Sequence, residues 1–240
     1  MKKFNAIFTW VAIAALSTFV ISAVPLQRGL SGAWTTANGT NEYSLLAADN
    51  YVMVTNFDKA NKKFISSFGG KTRLLGKKLM VTIEFNTADK SQIGKTVEYL
   101  WDAKTATVSS NIGGSAQNWR IVDQGRGNLT GNWRFLQRKD GDKFSEVTPL
   151  RARRTYKLLT ASRFQWAAVN VETGEFFGTG GGNYTLNDGK YTENIEFFSR
   201  DGSRVGASLS FDADVKDGDW HHSGKSSKGD AMYEVWGRVK

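Results

Sequence analysis

The stretch that decides the fold is residues 62–85, KKFISSFGGKTRLLGKKLMVTIEF, because the chain repeats it at residues 174–197 as GEFFGTGGGNYTLNDGKYTENIEF. At a constant offset of 112, eight of the 24 positions are identical without a gap: Phe64/Phe176, Gly69/Gly181, Gly70/Gly182, Leu74/Leu186, Lys78/Lys190, Ile83/Ile195, Glu84/Glu196 and Phe85/Phe197. Upstream, Leu45-Leu46 matches Leu158-Leu159 and Tyr51 pairs with Phe164, both at offset 113. Further upstream, Leu30-Ser31-Gly32-Ala33-Trp34 answers Leu129-Thr130-Gly131-Asn132-Trp133. Three separated blocks in one order make this an internal duplication. The copies divide near Asp123–Asn128, a run of turn-forming residues, and the second carries an insertion at roughly residues 138–150.

Each copy reads as β structure. Val97, Tyr99 and Trp101 share one strand face; so do Val81, Ile83 and Phe85, with Thr82 and Glu84 facing away. That period of two with one apolar face belongs to half-buried antiparallel strands. Turn signals recur at Asn38-Gly39, Gly69-Gly70, Asn187-Asp188-Gly189, Asp201-Gly202 and Asp217-Gly218, which predicts about seven or eight short strands per copy. No helical period is visible after the first residues. The expected fold class is all-β: two tandem antiparallel meander β-barrels, at residues 29–123 and 128–240.

The Gly-x-Trp at the head of each copy, followed by a meander, resembles the lipocalin (calycin) superfamily, and more narrowly the lipocalin-like domains of exported bacterial proteins. The resemblance implies that Trp34 and Trp133 close the barrel floors and that an Arg near each last strand, Arg120 and Arg238, packs across them. An indole face under a guanidinium gains a cation–π contact while sealing the end. It also implies a carrier of a small hydrophobic molecule. Each copy is shorter than a typical lipocalin, and no disulfide or flanking helix is present.

The first residues set the compartment. Lys2 and Lys3 precede an apolar run from Ala6 to Ile21, and Ser22-Ala23 supply small residues before Pro25. This is the layout of a secretory signal peptide, expected as a helix and expected to be cleaved after residue 23, with an uncleaved anchor as the alternative. The expected location is periplasmic or secreted, with no membrane span after cleavage. An outer-membrane barrel fits less well, since its strands need about 9–11 residues and most runs here are shorter. Removing residues 1–23 from 240 leaves 217, and removing Lys2 and Lys3 takes the net charge from +9 to +7. The positive residues are spread and interrupted by acids, which reads as solubility, and export argues against a nucleic-acid partner. Only Arg151, Arg153 and Arg154 form a tight group.

No chemistry is nominated. The chain has no Cys and two His, so neither a disulfide framework nor a structural zinc site is expected. His221-His222 would point to opposite faces of a strand and read as part of a solvated hairpin. Gly178–Gly182 lacks the Lys and following helix of a phosphate loop and reads as a turn with a bulge. Glu84 and Glu196 are equivalent repeat positions, not an opposed pair for glycoside hydrolysis. No enzyme, metal or cofactor is expected. Tyr51, Tyr99, Trp101, Phe164, Trp166, Phe198 and Phe211 are the candidates to line a pocket for a hydrophobic ligand. An interaction module gripping an envelope glycan through exposed aromatics and the Arg151–Arg154 cluster is the alternative.

Overall fold

The computed structural model describes residues 30–104, 106–114, 117–225 and 229–239; the segment expected to be a signal peptide, residues 1–23, lies outside them. The first copy forms β1 (Gly32–Asn38), β2 (Asn41–Ala48), β3 (Tyr51–Asp58), β4 (Lys63–Leu75), β5 (Lys78–Asn86), β6 (Thr96–Leu100), β7 (Asp102–Ala103), β8 (Thr107–Ser110) and β9 (Gln117–Asp123). The second forms β10 (Gly131–Asp140), β11 (Lys143–Phe144), β12 (Arg153–Leu159), β13 (Arg163–Asn170), β14 (Phe176–Asn187), β15 (Lys190–Phe198), β16 (Ser208–Lys216), β17 (Asp219–Lys225) and β18 (Ala231–Arg238). These are two tandem antiparallel meander barrels. The second closes fully, because β10 pairs with both β12 and β18. The first closes through β1 and β9 but stays open between β6 and β7. Side chains bridge that gap: Ser110 Oγ donates to Leu100 O (2.5 Å) and Leu100 N donates to Asn111 Oδ1 (2.8 Å). The insertion folds back along β10, with Thr148 N donating to Leu136 O at 2.6 Å.

The strand registers extend the repeat and correct its details. Trp34 pairs with Leu45 and Trp133 with Lys157, so Leu45 corresponds to Lys157, Leu46 to Leu158 and Ala47 to Leu159. Val52 sits opposite Gly70, as Phe164 sits opposite Gly182. The offset is therefore 112 from β2 through β5, not 113 upstream, and Tyr51 corresponds to Arg163. The shared register includes one β-bulge: Gly69 faces Phe85 and Gly70 faces Ile83, leaving Glu84 as the extra residue, with the same arrangement at Gly181, Gly182 and Glu196. A bulge flips the side chains beyond it to the other face. Val81 and Ile83 fill the first barrel, whereas Phe85 points outward into the contact between barrels. The alternation expected for Val81-Ile83-Phe85 fails at this residue. Gly178–Gly182 is likewise strand interior, not a turn. A Cβ on Gly182 would collide with the Asn194 carbonyl, and one on Gly180 would sit 2.8 Å from Trp166 Nε1.

The outward side chains join the two copies. Leu46, Tyr51, Met53 and Phe85 pack against Tyr156, Leu158, Ala167 and Val169, and Phe57 meets Phe197 at 4.9 Å. Glu84 accepts from Tyr51 (3.0 Å) and faces Arg154 (3.7 Å), while Glu196 pairs with Arg163 and with Lys59 (3.1 Å). Each bulge carboxylate thus receives a cation from the other copy. At the hinge, Asp123 accepts from Thr160 Oγ1 (2.7 Å), Ala161 N (3.1 Å) and Ser162 Oγ (2.7 Å), tying the end of β9 to the β12–β13 turn. Among the described residues no helix is long and apolar enough to cross a membrane.

Candidate functional site

The two barrels present their openings at equivalent places but with different chemistry. One end of the second barrel is plugged. Trp133 is buried with Nε1 donating to Leu129 O (2.8 Å), and the Arg238 guanidinium lies 4.0 Å from its ring centroid. Arg238 also donates to Thr130 O (2.5 Å) and Asp49 Oδ2 (3.0 Å). Gly131, at φ 153°, has no Cβ because that space is filled by Arg238. In the first barrel the residue across from Trp34 is Ile121, and Arg120 is exposed on the outer face. The one-residue difference flips the side chain, so Arg120 does not take the floor position. Trp34 is packed edge-on by Trp101 instead, at 5.1 Å.

At the other end the second barrel opens into a cleft of about 280 Å³. Trp166, Phe198, Leu209, Phe211, Met232 and Trp236 give it apolar walls, and Lys157, Glu193, His222 and Glu234 give it a polar base. Lys157 comes from β12 and Glu193 from β15. They form an ion pair with side chains only 6% and 7% exposed. The Lys157 ammonium lies 5.0–5.7 Å from the ring centroids of Phe164, Tyr191, Trp220 and Trp236, within cation–π range.

His222 on β17 is 3% exposed, tilted against Phe211 at 4.1 Å and near Trp220 at 5.0 Å. Neither ring nitrogen has a hydrogen-bond partner; its closest acidic neighbour, Glu234, is 3.8 Å away. Burial first, and then the Lys157 charge, pushes its pKa below the usual histidine value, so the ring is neutral at pH 7. Burial alone would raise Glu234, but His222, Lys157 and the Trp236 indole, which donates to Glu234 Oε2 at 3.0 Å, outweigh it and leave the carboxyl lowered.

The twin barrel makes this base unusual. The counterparts of Lys157 and Glu193 are Leu45 and Val81, both fully buried in the apolar core. The cross-strand pair His222–Glu234 answers Ser110–Gln117. One barrel therefore closes its upper core with hydrocarbon where the other has an ion pair, and has a buried serine where the other has a histidine. The first barrel's mouth, about 370 Å³, is instead lined by Phe68, Tyr99, Asn56, Gln92 and Asn111.

No family model and no curated protein matches this chain. The site stands on its own geometry.

Of the aromatic candidates, Trp166, Phe198 and Phe211 meet in the second barrel's mouth and Tyr99 stands in the first's, stacked on Phe68 at 6.0 Å. Phe164 is fully buried in the core beside Lys157, and Trp101 is packed on Trp34. Tyr51 lies buried between the barrels, its pKa raised by desolvation and then by Glu84. His221 and His222 do face opposite ways. His221 Nδ1 meets Tyr233 Oη (3.0 Å), but His222 points inward, so the solvated-hairpin reading fails for it. Two of the three grouped arginines have partners: Arg153 lies over Phe177 at 4.3 Å, and Arg154 donates to Tyr156 Oη (2.7 Å) and to the Arg151 carbonyl (2.8 Å), while Arg151 is exposed. Sequence reasoning missed Lys157, Glu193 and Glu234. The available signal was a charged residue on the inward face of each strand, legible only once the register is known.

Proposed function

We propose that this is an exported, non-enzymatic binding protein of lipocalin-like type, whose second barrel holds a small hydrophobic molecule in its mouth. The observation that carries the reading is the buried polar base beneath an apolar cleft, at positions where the twin barrel has Leu45 and Val81. Burying an ion pair gains little over a hydrophobic core and is often neutral or unfavourable for stability. A histidine with two unpartnered nitrogens adds a further desolvation cost. Such a base fits a ligand whose polar end meets these groups while its body rests on Trp166, Phe198, Phe211 and Met232. The Gly-x-Trp heads and the Arg238–Trp133 stack support the lipocalin-like assignment, and the Lys2–Ala23 segment supports export.

Titration with Nile red, a neutral apolar fluorophore, tests the reading. Phe198→Asp should weaken binding about tenfold or more, whereas Tyr99→Asp in the first barrel should leave it within about twofold. Absence of saturable binding to the wild-type protein, or equal losses in both variants, would count against it.

A further inference from the structure

We infer that the mouth of the second barrel selects a cationic amphiphile, an alkyl or aryl amine, over a fatty acid of the same size; this rests on the ligand-binding reading above. Among the described residues lining the cleft, the charged ones are Lys157, Glu193 and Glu234. Lys157 and Glu193 neutralise each other in a buried ion pair. His222, the remaining titratable group, is sealed among Tyr191, Phe211 and Trp220; the carboxylate nearest it, Glu234, is 3.8 Å away, beyond hydrogen-bond reach, and burial with the Lys157 charge outweighs its pull and keeps the ring neutral. Glu234 is left as the uncompensated charge. Its carboxylate has one oxygen bound to the Trp236 indole, and its side chain is 24% exposed, the least buried of the ionised groups at the base.

An incoming ammonium would meet that carboxylate with aromatic faces beside it, since Trp236 and Phe211 line the same cleft. Both features favour a cation. An incoming carboxylate would meet two carboxylates already present, and the ammonium that might receive it is already paired with Glu193. Like charges in a partly desolvated site are disfavoured. Arg204, over the Phe198 ring at 5.3 Å, stands at the outer edge and is paired with Asp201 at 3.4 Å, so it does not reverse the sign.

The test uses three probes of one length, n-octylamine, n-octanol and n-octanoate, titrated by calorimetry at pH 7.5 against the mature protein. Octylamine should bind about tenfold or more tightly than octanoate, with octanol between. Glu234→Gln should bring octylamine and octanoate affinities to within about twofold of each other, whereas Met232→Ala in the apolar wall should weaken all three probes and keep their order, which separates lost charge from a damaged cleft. Octanoate binding as well as or better than octylamine overturns the inference while leaving the ligand-binding reading intact. If none of the three binds, the ligand site itself fails, and the inference with it.

Discussion

Replacing Lys157 and Glu193 by Leu and Val gives the second barrel the pair its twin already has at Leu45 and Val81. The wild-type ion pair is 6% and 7% exposed, with the ammonium ringed by four aromatic side chains. Lys157→Leu alone leaves a buried carboxylate without its cation, which costs about 3–5 kcal/mol. Adding Glu193→Val removes that orphan. Desolvation of both charges then disappears from the ledger, and the double variant should be at least as stable as wild type, by about 1 kcal/mol. Val is shorter than Glu, which holds the gain to the low end of what such swaps deliver. For a chain of this size, 1 kcal/mol moves Tm by about 2–4 °C. Scanning calorimetry at pH 7 should thus place the single variant roughly 10 °C below wild type and the double variant level with it or a few degrees above. The double variant should also bind octanol more weakly, trading function for stability. A double variant as unstable as Lys157→Leu would refute the reasoning, because the pair would then be a net structural asset and not a feature kept for a ligand.

Other outcomes follow from the same geometry. His222 is held below its ordinary pKa, so the unfolded chain binds a proton before the folded one does. Stability should therefore fall as pH drops below about 6.5, by up to about 1.4 kcal/mol per pH unit until the folded pKa is reached. His222→Gln should flatten urea-denaturation stability over that window, and an unchanged slope would count against a neutral buried ring. Glu234, also lowered, adds a loss in the same direction at lower pH, below its unfolded value of about 4.5. Gly182→Ala places a methyl group against the Asn194 carbonyl and should cost about 1–3 kcal/mol, as should Gly70→Ala against Thr82 O; a neutral result at either would mean the bulge adapts. Asp123→Ala strips acceptors from Thr160, Ala161 and Ser162 and should cost about 1–3 kcal/mol, read by calorimetry.

Architecture was legible because the duplication is written in glycines and aromatics that the backbone itself requires. Gly69-Gly70 and Gly181-Gly182 sit where a bulged strand passes too close to its neighbour for any side chain. Gly131 makes room for Arg238 over Trp133. Face assignment was less legible. A bulge adds one residue without a sequence mark, so Ile83 and Phe85 read as one face yet point into the barrel and between the barrels. The same one-residue ambiguity misplaced Arg120, put Tyr51 in a candidate pocket, and aligned Leu45 with Leu158 instead of Lys157. The polar base was hidden for that reason. Lys157 and Glu193 look like ordinary surface charges until register turns them inward, and His222 looks like half of an exposed pair until β17 is seen to face the core. Trp166 and Phe211, by contrast, are legible because large aromatics at period two are on the right strand face wherever no bulge intervenes, whereas Phe198, three residues past Ile195, faces the mouth because the Glu196 bulge intervenes.

The central claim, that the second barrel's mouth is where a small apolar molecule sits, has a direct probe in the methionines. Met232 lines that cleft, while Met53 is buried between the barrels. With ¹³C-methyl-labelled methionine and n-octanol as titrant, the Met232 methyl resonance should shift saturably while that of Met53 stays in place. An unmoved Met232 signal, or parallel shifts at both methyl groups, would contradict the account.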